Sequence, residues 1–308
     1  MAADGSQGGA SRPVLVTGAA GMLGSQLLLD APTWAHAVGT DLVPASAPGA
    51  PAVERVGADL TDEELVRSLL AERPWYGVIH AAAYTAVDKA EEETELAWRI
   101  NALAPELLAR ACAAHGIPLV LVSTDFVFDG TREEPYPESH PPSPLGVYGR
   151  TKLEGEERAC AEHPDGVRVV RTQWLYGPRG NHFPGTMLRL AESNERLRVV
   201  DDQRGSPTTT LELAPALWDV LEKGAAGVYH AACEGEASWY DLACATLELA
   251  GDATPVDPCT TDEFPRPAPR PAYSVLACDA LTALRGRPLA DWREALATFL
   301  RAEGLQAS

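Results

Sequence analysis

The eleven residues Val14-Leu15-Val16-Thr17-Gly18-Ala19-Ala20-Gly21-Met22-Leu23-Gly24 constrain this chain more than any other stretch. An apolar run ends in three glycines at Gly-x-x-Gly-x-x-Gly spacing and passes directly into an amphipathic segment. This reads as a strand, a tight turn and a helix. Gly18 permits the sharp turn, Gly21 lets backbone approach a phosphate, and Gly24 allows the helix to pack closely on the strand. The free N–H groups at the start of such a helix, around Ala20, Met22 and Leu23, form an anion site suited to a pyrophosphate. The spacing differs from the commoner Gly-x-Gly-x-x-Gly fingerprint, so its place at the first strand–helix junction carries the argument.

The pattern then repeats. Residues 13–17, 35–40, 77–80, 118–123 and 167–172 read as apolar strands, and residues 22–30, 62–72 and 91–115 as helices. Pro105 marks a break or first turn in the last of these, and Gly116 its C-terminal cap. Near-continuous apolar strands alternating with helices imply an α/β, doubly wound parallel sheet of Rossmann type, covered on both faces. A (β/α)8 barrel is the alternative, but it gives no reason for a Gly-rich turn after the first strand.

After Gly177 the texture changes to short strands and Pro- and Gly-rich loops, with a last amphipathic helix at 291–302. The six prolines of residues 254–271 suggest an irregular surface stretch. The expected organisation is a tail at 1–12, a dinucleotide-binding domain at 13–176, and a smaller C-terminal substrate lobe at 177–308 with some segments returning to the core.

A formal net charge of −19 repels phosphate backbones and anionic lipids, which argues against nucleic-acid and membrane partners. An anionic substrate then needs a local pocket of donors and positive charge. No apolar run approaches the roughly 18 residues of a membrane span. The N-terminal residues lack the apolar segment of a signal peptide. Six scattered cysteines suit reduced, buried thiols and a cytoplasmic setting.

Two further features point to chemistry. Asp41 follows the second strand, where a carboxylate accepts hydrogen bonds from the adenosine ribose and disfavours a 2′-phosphate; no arginine follows closely, which argues against strict use of NADP. Asp59 and Leu60 end a later strand and could touch the adenine. Tyr148 and Lys152 stand four apart at the start of a helix and so share a face. A lysine there would lower the phenol's pKa and let it deliver a proton to a carbonyl oxygen. Thr124 lies among the preceding strand's last residues, at the carboxyl ends of the strands where this fold binds ligands, and could bond the same oxygen.

Taken together, the glycine loop, Ala81-Ala-Ala-Tyr-Thr-Ala-Val-Asp-Lys-Ala-Glu91, Ser123-Thr-Asp-Phe-Val-Phe-Asp-Gly130, Tyr148-x-x-x-Lys152, Arg171-Thr-Gln-Trp-Leu-Tyr176 and Asp202-Gln-Arg-Gly-Ser-Pro-Thr208 resemble the dTDP-4-dehydrorhamnose reductase family of extended short-chain dehydrogenases/reductases, in chain order. The resemblance implies reduction of a dTDP-4-keto-6-deoxy-L-sugar with NADH or NADPH. It implies Thr124, Tyr148 and Lys152 as the catalytic trio, with Asn101 supporting a proton-relay water. Ala81, Ala82, Ala83, Thr85 and Ser123 would line the cofactor. Val87, Asp125, Phe126 and Trp174 would contact the sugar, and Arg270 the nucleotide.

Two positions depart from the family. Phe126 stands where a tyrosine is frequent. Gln26 stands where some members carry a glutamate that binds a dimer-bridging metal, so no metal and a monomer or weak homodimer are expected. Other readings are a 4-ketoreductase for a different dTDP-deoxysugar of natural-product biosynthesis, and a non-catalytic NADP-binding subunit resembling the regulatory subunit of methionine adenosyltransferase. A dehydratase would want an acidic pair beside Thr124, and Asp125 is followed by Phe126.

Overall fold

Residues 11–45, 49–52 and 54–306 are described in a computed structural model of the chain. The first half runs β1 (Arg12–Thr17), α1 (Met22–Leu29), β2 (Ala35–Asp41), β3 (Arg55–Val56), α2 (Glu63–Ala71), β4 (Gly77–His80), α3 (Val87–Ala90), α4 (Thr94–Trp98), a π-helical turn (Arg99–Leu103), α5 (Ala104–His115), β5 (Leu119–Thr124), a 3-10 turn (Asp125–Val127), α6 (Val147–Glu162) and β6 (Val167–Thr172). The second half adds β7 (Leu175–Tyr176), α7 (Phe183–Ala191), β8 (Leu197–Val200), β9 (Arg204–Gly205), β10 (Thr208–Thr209), α8 (Thr210–Lys223), β11 (Gly227–His230), β12 (Ala237–Ser238), α9 (Trp239–Ala250), β13 (Val256–Cys259), α10 (Asp279–Arg285) and α11 (Trp292–Ala302).

The main sheet has the order β11-β6-β5-β4-β1-β2-β3, with every pairing parallel. Its order reverses between β1 and β4, and the two ends stay open, so the sheet is doubly wound and not a closed barrel. Alternation along each strand supplies both faces. Val14 and Val16 point with Ile79, Val120 and Val170 toward α1 and α8, meeting Leu27, Leu213 and Leu217. Leu15 points the other way with Val38, Val78 and Leu119 toward α2 and α5.

Caps fix the helix ends where the sequence implies them. Asp62 accepts hydrogen bonds from the backbone of Glu64 and Leu65 at the start of α2, and Gly116 closes α5 at φ +65°.

Three expectations change. The single helix over 91–115 is instead α3, α4, a π-turn and α5. Pro105 has no N–H to give the Asn101 carbonyl four residues back, and the chain widens into the π-turn there. The 254–271 stretch is not wholly irregular, because β13 pairs in parallel with β8. Arg12 belongs to β1, where its N–H donates to the Trp34 carbonyl at 2.8 Å; residues 1–10 of the expected tail lie outside the described residues.

From the second half, β11 and α8 join the main sheet. Leu281 of α10, Leu289, and Ala295 of α11 pack on the same core, while other segments build separate clusters around Tyr176, Leu296 and Phe299 and around Met187, Leu197 and Leu247. Among the described residues no helix is long and apolar enough to cross a membrane.

Candidate active site

The carboxyl ends of β1, β2, β4, β5 and β6 open into one cavity of about 650 Å³. Its near wall is the glycine turn. Gly18 takes φ +67°, and a Cβ there would lie 2.6 Å from the Ala82 nitrogen. A Cβ at Gly24 would clash with the Gly18 carbonyl oxygen, so only glycine lets α1 sit this close to the turn. At the head of α1, Gly21 offers no side-chain cap and the first turn carries no acidic residue, which leaves its N–H groups to a bound anion. A dinucleotide fits this cradle in shape and in donors.

Asp41 is held rigidly at the rim: Oδ2 accepts from the Ala20 N–H at 2.9 Å and Oδ1 from the Val43 N–H at 3.3 Å. Asp59 accepts from the N–H and hydroxyl of Thr61, bonds that hold its carboxyl below the usual range.

The far wall carries the reactive groups. Tyr148 and Lys152 rise from the first turns of α6, whose Val147 N–H is capped by the Glu91 carboxylate at 2.8 Å. Gly149 and Gly155 let α6 press against the Phe126 and Asn101 carbonyl oxygens, where any Cβ would clash. Lys152 Nζ donates to the Val122 carbonyl at 2.8 Å, and burial lowers its pKa to about 8. Burial pushes the Tyr148 phenol up to about 12, with the Thr124 hydroxyl offsetting part of the rise; Lys152 is not among the groups acting on it here. A neutral phenol retains the proton that a reduction must deliver.

Thr124 Oγ1 donates to Asp125 Oδ1 at 3.0 Å and accepts from the Phe126 N–H at 3.2 Å. Asp125 is 1% exposed, and burial pushes its carboxyl up to about 6. The Phe126 and Tyr148 rings meet edge to face at 5.5 Å.

Of the residues named from sequence, all but three line this cavity. Ala20 is spent on Asp41 through its N–H. Asn101 is buried with its amide on the Tyr84 backbone (2.9 and 3.1 Å) and on Thr151 Oγ1 (3.2 Å), away from the cavity lining. Arg270 pairs with Asp88 at 2.9 Å, one residue from the lining Val87, and Arg266 pairs with the other oxygen of the same carboxylate. The Pro-rich segment is thereby tied onto α3. Ser123 lines the cavity, but its hydroxyl is given to Glu156, which also holds Arg171 in a buried ion pair at 2.6 Å.

Sequence reasoning missed several lining residues. His80, buried beneath the glycine turn, bonds Thr17 Oγ1 at 2.7 Å through Nδ1, and burial lowers its pKa to about 3. Thr172 Oγ1 and Gln173 Nε2 are buried without a hydrogen-bond partner among the described residues, at the end of β6 beside Trp174. Trp174 adopts φ +46°, a left-handed conformation rare for so bulky a residue, and its ring stacks on Trp239 at 3.7 Å and 7°. Arg179 also lines the cavity. The position of Thr172 and Gln173 inside the Arg-Thr-Gln-Trp block was the one available signal.

Comparison with known proteins agrees with this geometry. Residues 12–304 match the family described as RmlD substrate binding domain. A dTDP-4-dehydrorhamnose reductase of Mycolicibacterium smegmatis is 44% identical over 287 residues, 92% of this chain and 83% of the relative. A probable dTDP-4,6-dihydroxy-2-methyloxan-3-one 4-ketoreductase of Streptomyces antibioticus is 43% identical over 92% of each chain. The crystal structure of the Bacillus anthracis dTDP-4-dehydrorhamnose reductase in complex with NADP superposes with a TM-score of 0.86 at 35% identity, covering 95% of this chain and 99% of that one. A match across nearly the whole length, in sequence and in backbone superposition, means that the chain belongs to the dTDP-4-dehydrorhamnose reductase family.

Proposed function

We propose that this protein reduces the 4-keto group of a dTDP-4-keto-6-deoxy-L-sugar with NADH or NADPH, converting dTDP-4-dehydrorhamnose to dTDP-L-rhamnose. The observation that carries the proposal is the continuity of one cavity from the glycine turn to Thr124, Tyr148 and Lys152. Relatives named dTDP-4-dehydrorhamnose reductase at 41–44% identity support the substrate class.

A bound reduced nicotinamide supplies the hydride for the keto carbon. Gly18, Gly21 and the head of α1 would hold the pyrophosphate, and Asp41 the adenosine ribose. Tyr148 keeps its phenolic proton at neutral pH and would deliver it to the carbonyl oxygen as negative charge develops there. Thr124 offers that oxygen a second hydroxyl donor once it turns from Asp125. Lys152, held by the Val122 carbonyl, would stabilise the phenolate that remains. Trp174, Gln173 and Thr172 supply an aromatic wall and two free polar groups for a hydroxylated sugar. The same reading puts the protein in the cytoplasm as a monomer or weak homodimer, without nucleic-acid or membrane partners.

The test is mass spectrometry and NMR of the product after incubation with a panel of nucleotide 4-keto sugars and each reduced cofactor. dTDP-L-rhamnose is the expected product. Dinucleotide binding with no reduction of any keto sugar would sink the enzymatic reading in favour of a regulatory one.

A further inference from the structure

The cavity is poor in positive charge for what it must hold. Asp41, Asp59 and Asp125 line it, within a chain of formal charge −19. A dinucleotide brings two more negative charges at its pyrophosphate. The head of α1 supplies N–H donors but only a partial charge. Just two cations line the cavity among the described residues, Lys152 and Arg179, and Lys152 stands at the far wall with its ammonium on the Val122 carbonyl.

Arg179 is placed quite differently. It adopts φ +63°, a left-handed conformation that favours glycine or asparagine, so the surrounding contacts hold it there. The next residue, Gly180, lies against α1: a Cβ there would be 2.9 Å from the Cβ of Met22, the first residue of the helix. The guanidinium reaches across to the first turns of α1, with Nε donating to Ser25 Oγ at 3.3 Å and an Nη donating to Gln26 Oε1. Gln26 is held in turn by its Nε2 bond to Asp30 at 2.7 Å. Arg179 makes no direct ion pair among the described residues; the Asp30 carboxylate, bonded to the same Gln26, offsets its charge only from beyond contact distance.

We infer that Arg179 is the cation that neutralises the cofactor pyrophosphate, held over the head of α1 by Ser25 and Gln26. The assignment rests on the NAD(P)H reading of this cavity. It gives the second half of the chain a direct part in holding the cofactor. It also gives Gln26 a local role as the positioning residue of Arg179.

The experiment is calorimetric titration of NADPH, NADP+ and dTDP into wild type, Arg179→Asn and Arg179→Lys at two ionic strengths. Asparagine tolerates the left-handed backbone, so this variant removes the charge without threatening the turn; an unchanged melting temperature checks that. Loss of a charge-assisted contact should weaken NADPH and NADP+ about tenfold in Arg179→Asn, with a flatter salt dependence. Arg179→Lys should recover most of the affinity, and dTDP binding should not change. Arg179→Asn binding NADPH as wild type does, or a loss confined to dTDP, would overturn the assignment while leaving the reductase reading intact. Wild type that binds no dinucleotide at all would overturn both.

Discussion

The two walls of the cavity are made in different ways. The cofactor wall, from β1 to β4, consists of regular strands, one glycine turn and a helix end, and its key contacts lie within one strand–turn–helix unit or between neighbouring strands. The wall proposed for the substrate, from the end of β6 onward, holds Trp174 in left-handed backbone, and the chain that follows it turns at Arg179, also left-handed, to reach back to α1. It is flanked by two-residue strands and backed by a stacked tryptophan 65 positions away in sequence (239 against 174). Backbone strain of this kind costs on the order of 1–3 kcal/mol per residue and survives only when packing over-determines it. A wall that binds a near-universal dinucleotide can be built from regular elements. On the proposed reading, the sugar instead meets aromatic rings and polar groups whose positions tertiary packing imposes.

The sharpest test of the division lies where both walls meet the reacting oxygen. Tyr148→Phe removes only the proton donor, so turnover should fall about 10²–10⁴-fold while NADPH affinity by titration stays unchanged. A mutant that keeps wild-type turnover would take Tyr148 out of the mechanism. Gly24→Ala attacks the cofactor wall alone: with backbone on both sides, the added methyl should reduce NADPH affinity at least about tenfold, alongside a lower melting temperature. Asp41→Ala acts on the same wall, removing the carboxylate along with its bonds to the Ala20 and Val43 N–H groups. Its NADPH-to-NADH ratio of kcat/KM should rise about tenfold, since a clamped carboxylate no longer repels a 2′-phosphate.

Trp239→Leu attacks the substrate wall from behind. An aromatic pair adds about 0.5–1.5 kcal/mol, so KM for the sugar nucleotide should rise about two- to tenfold with NADPH affinity unchanged. If cofactor binding fell equally, the two walls would not be separable.

The smallest effect concerns Asp125. Its folded pKa of about 6 lies above the ordinary 3.8, so ionisation penalises the folded state. The penalty is absent below the unfolded pKa, grows between the two values and is complete above pH 6. Asp125→Asn should therefore raise the melting temperature by about 2–5 °C at pH 8 and leave it unchanged at pH 3, given roughly 1.4 kcal/mol per pKa unit. An equal gain at both pH values would mean that ionisation is not the cause.

Legibility in the sequence follows the same division. Gly18, Gly21 and Gly24 were readable because their chemistry depends on spacing within one turn, and Tyr148 with Lys152 because four residues make one helix face. The break at Pro105 was readable, but its form as a π-turn, with the Asn101 carbonyl freed and Gly155 of α6 packed close to it, was not. Arg270 was expected at the nucleotide, yet its guanidinium is committed to Asp88 across 182 positions of chain. No local pattern encodes such a pair. Arg179 gave no signal, because a lone arginine after a glycine and a proline looks like any solvated loop cation.

By itself the sequence determined the strand–helix alternation of the first half in outline, the glycine turn, the Tyr–Lys pair and the family, since each follows from short-range periodicity or from contiguous blocks of residues. Tertiary structure alone decided the burial of Asp125, the stacking of Trp174 on Trp239 and the reach of Arg179 to α1. Those depend on which groups lose water and which distant segments come within a few ångströms of each other, and both are set only when the two halves of the chain pack together.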